Sequence, residues 1–269
     1  MEQTVTYQKA PLVELIVEVQ WSVPTVLPTG GPPIVGGQSA TFDRWFQRLT
    51  ERLREQGFHD LERLIPHDMF SLAHQPVYRY RRGGDRFPVV QFGHGIFTLN
   101  AGPPNYHSWA TFRPQVEQAL AALIATKPGD EAPDTFSHVA LRYIDLFDTE
   151  LRAGASNYAF IRDTLGIGIG LPQDLVAVAP HPDQINPTLA VHLPIADHDN
   201  ASLAFQVAAS RLGQRPTTDT VMDMTYAVRE DIPLVTADLM AHLENAYIVI
   251  HGWFEKLTAK IRERMEPAS

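Results

Sequence analysis

The sequence predicts an α+β fold: two related β-α-β(n)-α halves, mainly antiparallel sheet with helices packed on one face. Three observations carry this. Apolar and polar residues alternate with period two over Leu12–Trp21 and Thr218–Val228, the signature of strands with one buried face. Apolar residues recur at spacings of three and four over Thr41–Gln56 and Thr236–Met265, the signature of amphipathic helices. The order strand, helix, strands, helix occurs twice, on either side of the polar connector Lys127–Pro133. That connector divides the chain into an N-terminal α+β half, 1–133, and a C-terminal α+β half, 134–269, which ends in the long helix. Antiparallel strands with helices gathered on one side are the packing this order favours.

In the strand Leu12–Trp21, residues Val13, Leu15, Val17, Val19 and Trp21 share one face, and Glu14, Ile16, Glu18 and Gln20 the other. The Pro/Gly stretch Pro24–Gly37 breaks any regular structure. Helix Thr41–Gln56 places Phe42, Trp45, Phe46, Leu49 and Leu53 on one face and stops at Gly57. Met69–Arg81 and Phe87–Asn100 read as strands, with tight turns at Gly83-Gly84-Asp85 and Gly93-His94-Gly95. A helix over Pro114–Ala125 starts on a proline, which suits a first helical turn. The second half reads as a strand Phe136–Phe147, a short helix Tyr158–Gly166, strands Leu189–Ile195, Leu203–Ala209 and Thr218–Val228, and the final helix.

The 269 residues carry no cysteine, which excludes thiolate metal sites, iron–sulfur clusters and a cysteine nucleophile. Net charge is −9: residues 1–133 hold 12 basic and 13 acidic groups, residues 134–269 hold 10 and 18. So acidic a second half opposes nucleic-acid binding over most of the surface. The N-terminus lacks the basic start and apolar run of a signal peptide, and no apolar stretch approaches bilayer length. The expected setting is cytoplasmic, with no membrane partner.

Several clusters invite a functional reading. Tyr78–Arg86 interleaves tyrosines with Arg79, Arg81, Arg82 and Arg86, either to meet an anion or simply as a charged hairpin that resists edge pairing. In Leu141-Arg142-Tyr143-Ile144-Asp145, Arg142 shares a face with Ile144, and Tyr143 shares the other with Asp145. An arginine in an apolar strand needs a counter-charge, with Glu14 or Glu18 as candidates, or else a ligand anion. His251 and Glu255, with His242, fall short of a metal ligand set, and His181, His192, His198 and Asp199 match no metal loop. Gly166-Ile167-Gly168-Ile169-Gly170 follows a helix, which is the wrong context for a dinucleotide loop. No nucleophile elbow and no phosphate-binding Gly-Lys-Ser/Thr string is present. No catalytic residue, metal ligand or cofactor is expected.

Tyr7-Gln8-Lys9-Ala10-Pro11-Leu12-Val13-Glu14, Leu141–Asp145 and Ile250-His251-x-x-Phe254 together resemble a sporadically distributed bacterial family of uncharacterised proteins. The resemblance spans nearly the whole chain. The family often carries Asn at the position of Asp145. It implies a cytosolic protein with no catalytic residues to carry over, and its patchy occurrence is typical of accessory systems such as defence.

The functional expectation is a non-catalytic protein-interaction module or complex subunit, a dimer or partner-bound, with Ile248, Val249 and Trp253 forming a second apolar strip on the last helix. The alternative is a protein that binds a small anionic ligand or nucleotide in a cleft between the halves, through Arg142, Tyr143, Arg79 and Arg81.

Overall fold

The computed structural model describes residues 6–26, 34–35, 40–66, 69–129, 133–172, 174, 178, 185–196, 198, 200–210 and 218–267. Nine of the described strands form one antiparallel sheet. Across it run β10 (Thr188–Pro194), β11 (Ala201–Ser210), β12 (Asp219–Val228), β9 (His138–Phe147), β1 (Leu12–Gln20), β7 (Ile96–Ala101), β6 (Val89–Gly93), β5 (Pro76–Arg81) and β4 (Asp60–Arg63). Two short pairs stand apart: β2 (Thr25–Val26) with β3 (Ile34–Val35), and β8 (Thr135–Phe136) with β13 (Ile232–Pro233). The strand order is the same on both sides of the centre. In each half the opening strand, β1 or β9, lies beside the closing one, β7 or β12, and the remaining strands run outward in reverse order. β1 and β9 meet antiparallel in the middle, with Val17 opposite Leu141 and Leu15 opposite Tyr143.

Period two sorts the faces. Leu15, Val17, Val19, Leu141, Met222, Met224, Leu203 and Phe205 are buried on the side that carries the helices. Each withdraws apolar surface from water, roughly 1.5–3 kcal/mol for a large aliphatic side chain. Glu14, Glu18, Arg142, Asp223 and Gln206 occupy the opposite face. α1 (Ala40–Glu55) buries Phe42, Trp45, Leu49 and Leu53, the expected stripe, and Trp45 donates its indole N–H to the Leu123 carbonyl of α2 (Trp109–Ala125) at 3.0 Å. α3 (Asn157–Ala159) continues as a π-helical turn over Phe160–Thr164. α4 (Thr236–Thr258) lies over β9 and β12, buries Leu239, Leu243, Ala246 and Ile250, and passes into a 3₁₀ turn, Ala259–Met265.

The elements differ from expectation at three places. Residues 69–75 are not strand. The chain turns there, with His74 at φ 58° and the Gln75 amide on the Leu72 carbonyl, and Gln75 crosses so close to Gly93 that a Cβ at Gly93 would sit 2.0 Å from its carbonyl oxygen. β4 forms the sheet edge instead. α2 begins at Trp109, five residues before Pro114. Ser108 and Thr111 make a reciprocal capping box that starts the helix, which leaves Pro114 inside it. Asp219, an acidic residue at the start of β12 that alternation with Thr220, Met222 and Met224 places on the outward face, is buried. Most of the Pro24–Gly37 loop, residues 130–132 of the connector, His181 and Asp199 lie outside the described residues.

Candidate functional site

The residues between which the sequence divided its attention separate onto opposite faces of β9. Arg142 sits on the face without helices. Its Nε and Nη2 donate to the two carboxylate oxygens of Asp223 at 2.9 and 2.5 Å, a two-pronged pair in place of the expected Glu14 or Glu18. The register explains the choice: Asp223 stands opposite Ile144, one diagonal step from Arg142 on the neighbouring strand. Arg79 and Arg81, on β5, both face Glu62 of the edge strand β4, at 3.3 and 3.9 Å. The tyrosines of that hairpin turn the other way. Tyr78 stacks on Phe46 with ring centres 3.9 Å apart, and Tyr80 is buried with its hydroxyl 2.9 Å from that of Thr50. The three arginines named as anion contacts thus each face a carboxylate, and none lies with Tyr143.

Tyr143 is on the helix side, where it lines a cavity of about 480 Å³. Small-molecule sites commonly fall in the range of roughly 300–1,000 Å³. The floor is sheet: Leu12, Tyr143, Asp145 and Met224. α4 roofs it with Tyr247, Ile250, His251 and Phe254. One wall is the segment between β7 and α2, which carries Tyr106 and leads to Trp109; the other is the N-terminal segment, Thr6–Pro11. Gly102 lets the first wall start close to β1, because a Cβ there would lie 2.7 Å from the Val13 carbonyl oxygen. Tyr7, Pro11, Leu12, Tyr143, Asp145, His251 and Phe254, far apart in the chain, all line this one cavity.

The walls are fixed by specific contacts. The Tyr7 hydroxyl donates to the Glu255 carboxylate, 2.7 and 2.8 Å from its two oxygens, and the amides of Gln8 and Lys9 donate to the carbonyls of Glu266 and Met265. Burial, reinforced by the Glu255 charge, pushes the Tyr7 phenol well above its usual range. Trp109, Tyr247 and His251 form a continuous stack, with ring centres 5.5 and 5.4 Å apart and planes within 14° at each step. Glu244 anchors its outer end by accepting from the Trp109 indole at 3.0 Å and from the Arg113 guanidinium. Burial lowers the His251 pKa, opposed by the charge of Glu255 4.0 Å away.

At the floor, the Tyr106 and Tyr143 hydroxyls lie 3.1 Å apart, and burial raises both phenols. Asp145 is 3% exposed, flanked across the sheet by Leu12 and Met222. Its Oδ2 is buried with no hydrogen-bond partner among the described residues. Burial, and secondarily the charge of Asp223, pushes its carboxyl up to about 8. A native buried polar atom left unpaired is rare and calls for an explanation.

Arg142 and Tyr143 were singled out in the sequence, and of the two only Tyr143 reaches the cavity. Asp145 was noted only as its neighbour on the face. The signal was there: an acidic residue in phase with Val139, Leu141 and Phe147, all buried, has to be inward. Tyr106, Trp109 and Tyr247 carried no such signal. On α4, Ile248 is 65% exposed, whereas Val249 and Trp253 are half-buried, Trp253 lying 6.4 Å from Phe205 between ring centres. Among the described residues no group of three His, Asp or Glu side chains could hold a metal ion, and no helix is long and apolar enough to cross a membrane. Compared with models of protein families, with curated proteins and with solved structures, the chain matches none.

Proposed function

We propose that this chain binds a small organic molecule in the cavity under α4, where the two halves of the sheet join. One observation carries the reading: a cavity of ligand size is walled mainly by rings and aliphatic groups, and its floor includes the buried carboxyl of Asp145, one oxygen of which has no partner among the described residues. Apolar walls with a few fixed polar groups are the usual make-up of a small-molecule site. The Trp109–Tyr247–His251 stack and the Tyr7–Glu255 bond hold the shape before a ligand arrives, which lowers the ordering cost of binding.

The test is a ligand-observed NMR screen of small aromatic and aliphatic fragments against the full chain and against Ala10→Trp. Ala10 is exposed at the cavity rim, so an indole there obstructs the entrance without entering the core. Fragments are expected to bind the parent chain and to lose at least tenfold in affinity against Ala10→Trp, at unchanged melting temperature. Binding that ignores the substitution, or no binding at all, contradicts the reading.

A second reading, self-association or docking of a protein partner through α4, is favoured by Ile248, whose side chain stands in solvent beside Val249 and Trp253. Light scattering behind size-exclusion chromatography tests it. Self-association predicts a dimer that Ile248→Glu converts to monomer. A monomer at all concentrations that also co-purifies with no partner contradicts both forms of it.

A further inference from the structure

Granting the small-molecule reading above, we infer that the ligand is a protonated amine, which donates an N–H to the Asp145 carboxyl and lays its carbon body against the aromatic walls. Three features of the cavity converge on this class. Asp145 is the one acidic residue lining the cavity among the described residues, and its carboxyl is buried with an unpaired oxygen, so a donor on the ligand relieves it. No lysine or arginine lines the cavity among the described residues, so a ligand anion would meet a carboxyl and no counter-charge. The rings of Tyr7, Tyr106, Trp109, Tyr143, Tyr247 and Phe254 border the space, and such ring faces attract cations, more strongly where water is excluded. A neutral alcohol satisfies the first feature but gains nothing from the rings.

Titratable groups face the same space from each of its walls, with His107 next to Tyr106 on the side wall. Tyr143 on its own strand, Tyr106 on the side wall and Tyr7 on the N-terminal segment all have phenols raised by burial, and Tyr247 on α4 is a further phenol. His251 on α4 is lowered, again by burial. Asp223 on β12 is tied to Arg142 on the far side of the sheet. Asp145, raised to about 8, therefore carries a proton at pH 7 in the free protein and must release it when an ammonium group binds. An alkylamine stays protonated throughout, since its pKa lies near that of lysine, about 10.4. Amine affinity then rises from pH 6 to pH 8 and levels off above.

Titration calorimetry of the full chain with 2-phenylethylamine, 2-phenylethanol and 3-phenylpropanoate, at pH 6, 7 and 8 and in phosphate and Tris at each pH, tests this. The amine is expected to bind at least tenfold tighter than the alcohol, with the carboxylate weakest. Its Kd should fall more than tenfold from pH 6 to pH 8, and the buffer difference should show proton release at pH 7. Asp145→Asn, its fold checked by thermal melting, is expected to erase both the preference for amine and the pH dependence. If the alcohol or carboxylate binds as tightly as the amine, if Asp145→Asn keeps amine affinity, or if fragments bind while the amine does not, the amine assignment falls and the pocket stands. If none of these ligands and no fragment binds, both fall.

Discussion

Asp145 is held where a carboxylate is least stable, between Leu12 and Met222 and under α4. Its raised pKa has a consequence for stability. Unfolded, the group titrates near 3.9; folded, near 8. Between about pH 4 and pH 8 the folded chain keeps a proton that the unfolded chain gives up, so stability falls as pH rises through that window and is flat above it. Asp145→Asn cannot ionise. Its melting temperature is expected to exceed that of the parent chain by several degrees at pH 9, and the gap should close towards pH 5 in thermal melts; an equal gap at all pH values contradicts a buried, proton-holding carboxyl. Arg142 behaves differently. Its side chain is 43% exposed in its pair with Asp223, so solvent screens the attraction, and Arg142→Ala is expected to cost about 1 kcal/mol or less in chemical denaturation and to leave fragment binding unchanged. At this scale the sequence was half legible. Alternation put Tyr143 and Asp145 on one face and Arg142 on the other, but the arginine drew attention because an unpaired charge in a strand looks costly. Its partner Asp223 lies 81 residues further along and could not be read from spacing.

Among the elements, α4 and the N-terminal segment decide whether the cavity exists. α4 supplies the roof, and its apolar residues at spacings of three and four made it legible as a helix in the sequence. The segment Thr6–Pro11 carries neither a helical nor a strand period in the sequence. It becomes a wall only because Tyr7 reaches Glu255 and the Gln8 and Lys9 amides find the 3₁₀ turn after α4. Contacts spanning 248 residues have no local signature. Tyr7→Phe removes a hydrogen bond to a carboxylate, about 1.5–3 kcal/mol. It is expected to speed hydrogen exchange at the Gln8 and Lys9 amides while leaving β1 amides such as Val17 protected; unchanged exchange at Gln8 and Lys9 would mean that the Tyr7–Glu255 bond does not hold this wall. The start of α2 was misplaced for a simple reason: Pro114 is a familiar first-turn residue, but the Ser108–Thr111 capping box acts earlier and more strongly.

Across the whole molecule, the α+β class and the antiparallel sheet were legible because they depend on local periodicity. The strand order was not, since register between β1 and β9 is set by burial on one face rather than by anything either strand carries alone. That central pairing makes the cavity. It brings Leu12 of the first half beside Asp145 of the second, and α4 then closes over both. Carbon-detected NMR of the Asp145 side-chain carboxyl, assigned by its loss in Asp145→Asn, measures the proton at the floor of this space directly. A titration midpoint near 8 in the free protein, moving downward when 2-phenylethylamine is added, is the expected result; a midpoint near 4 that the amine does not move would contradict it.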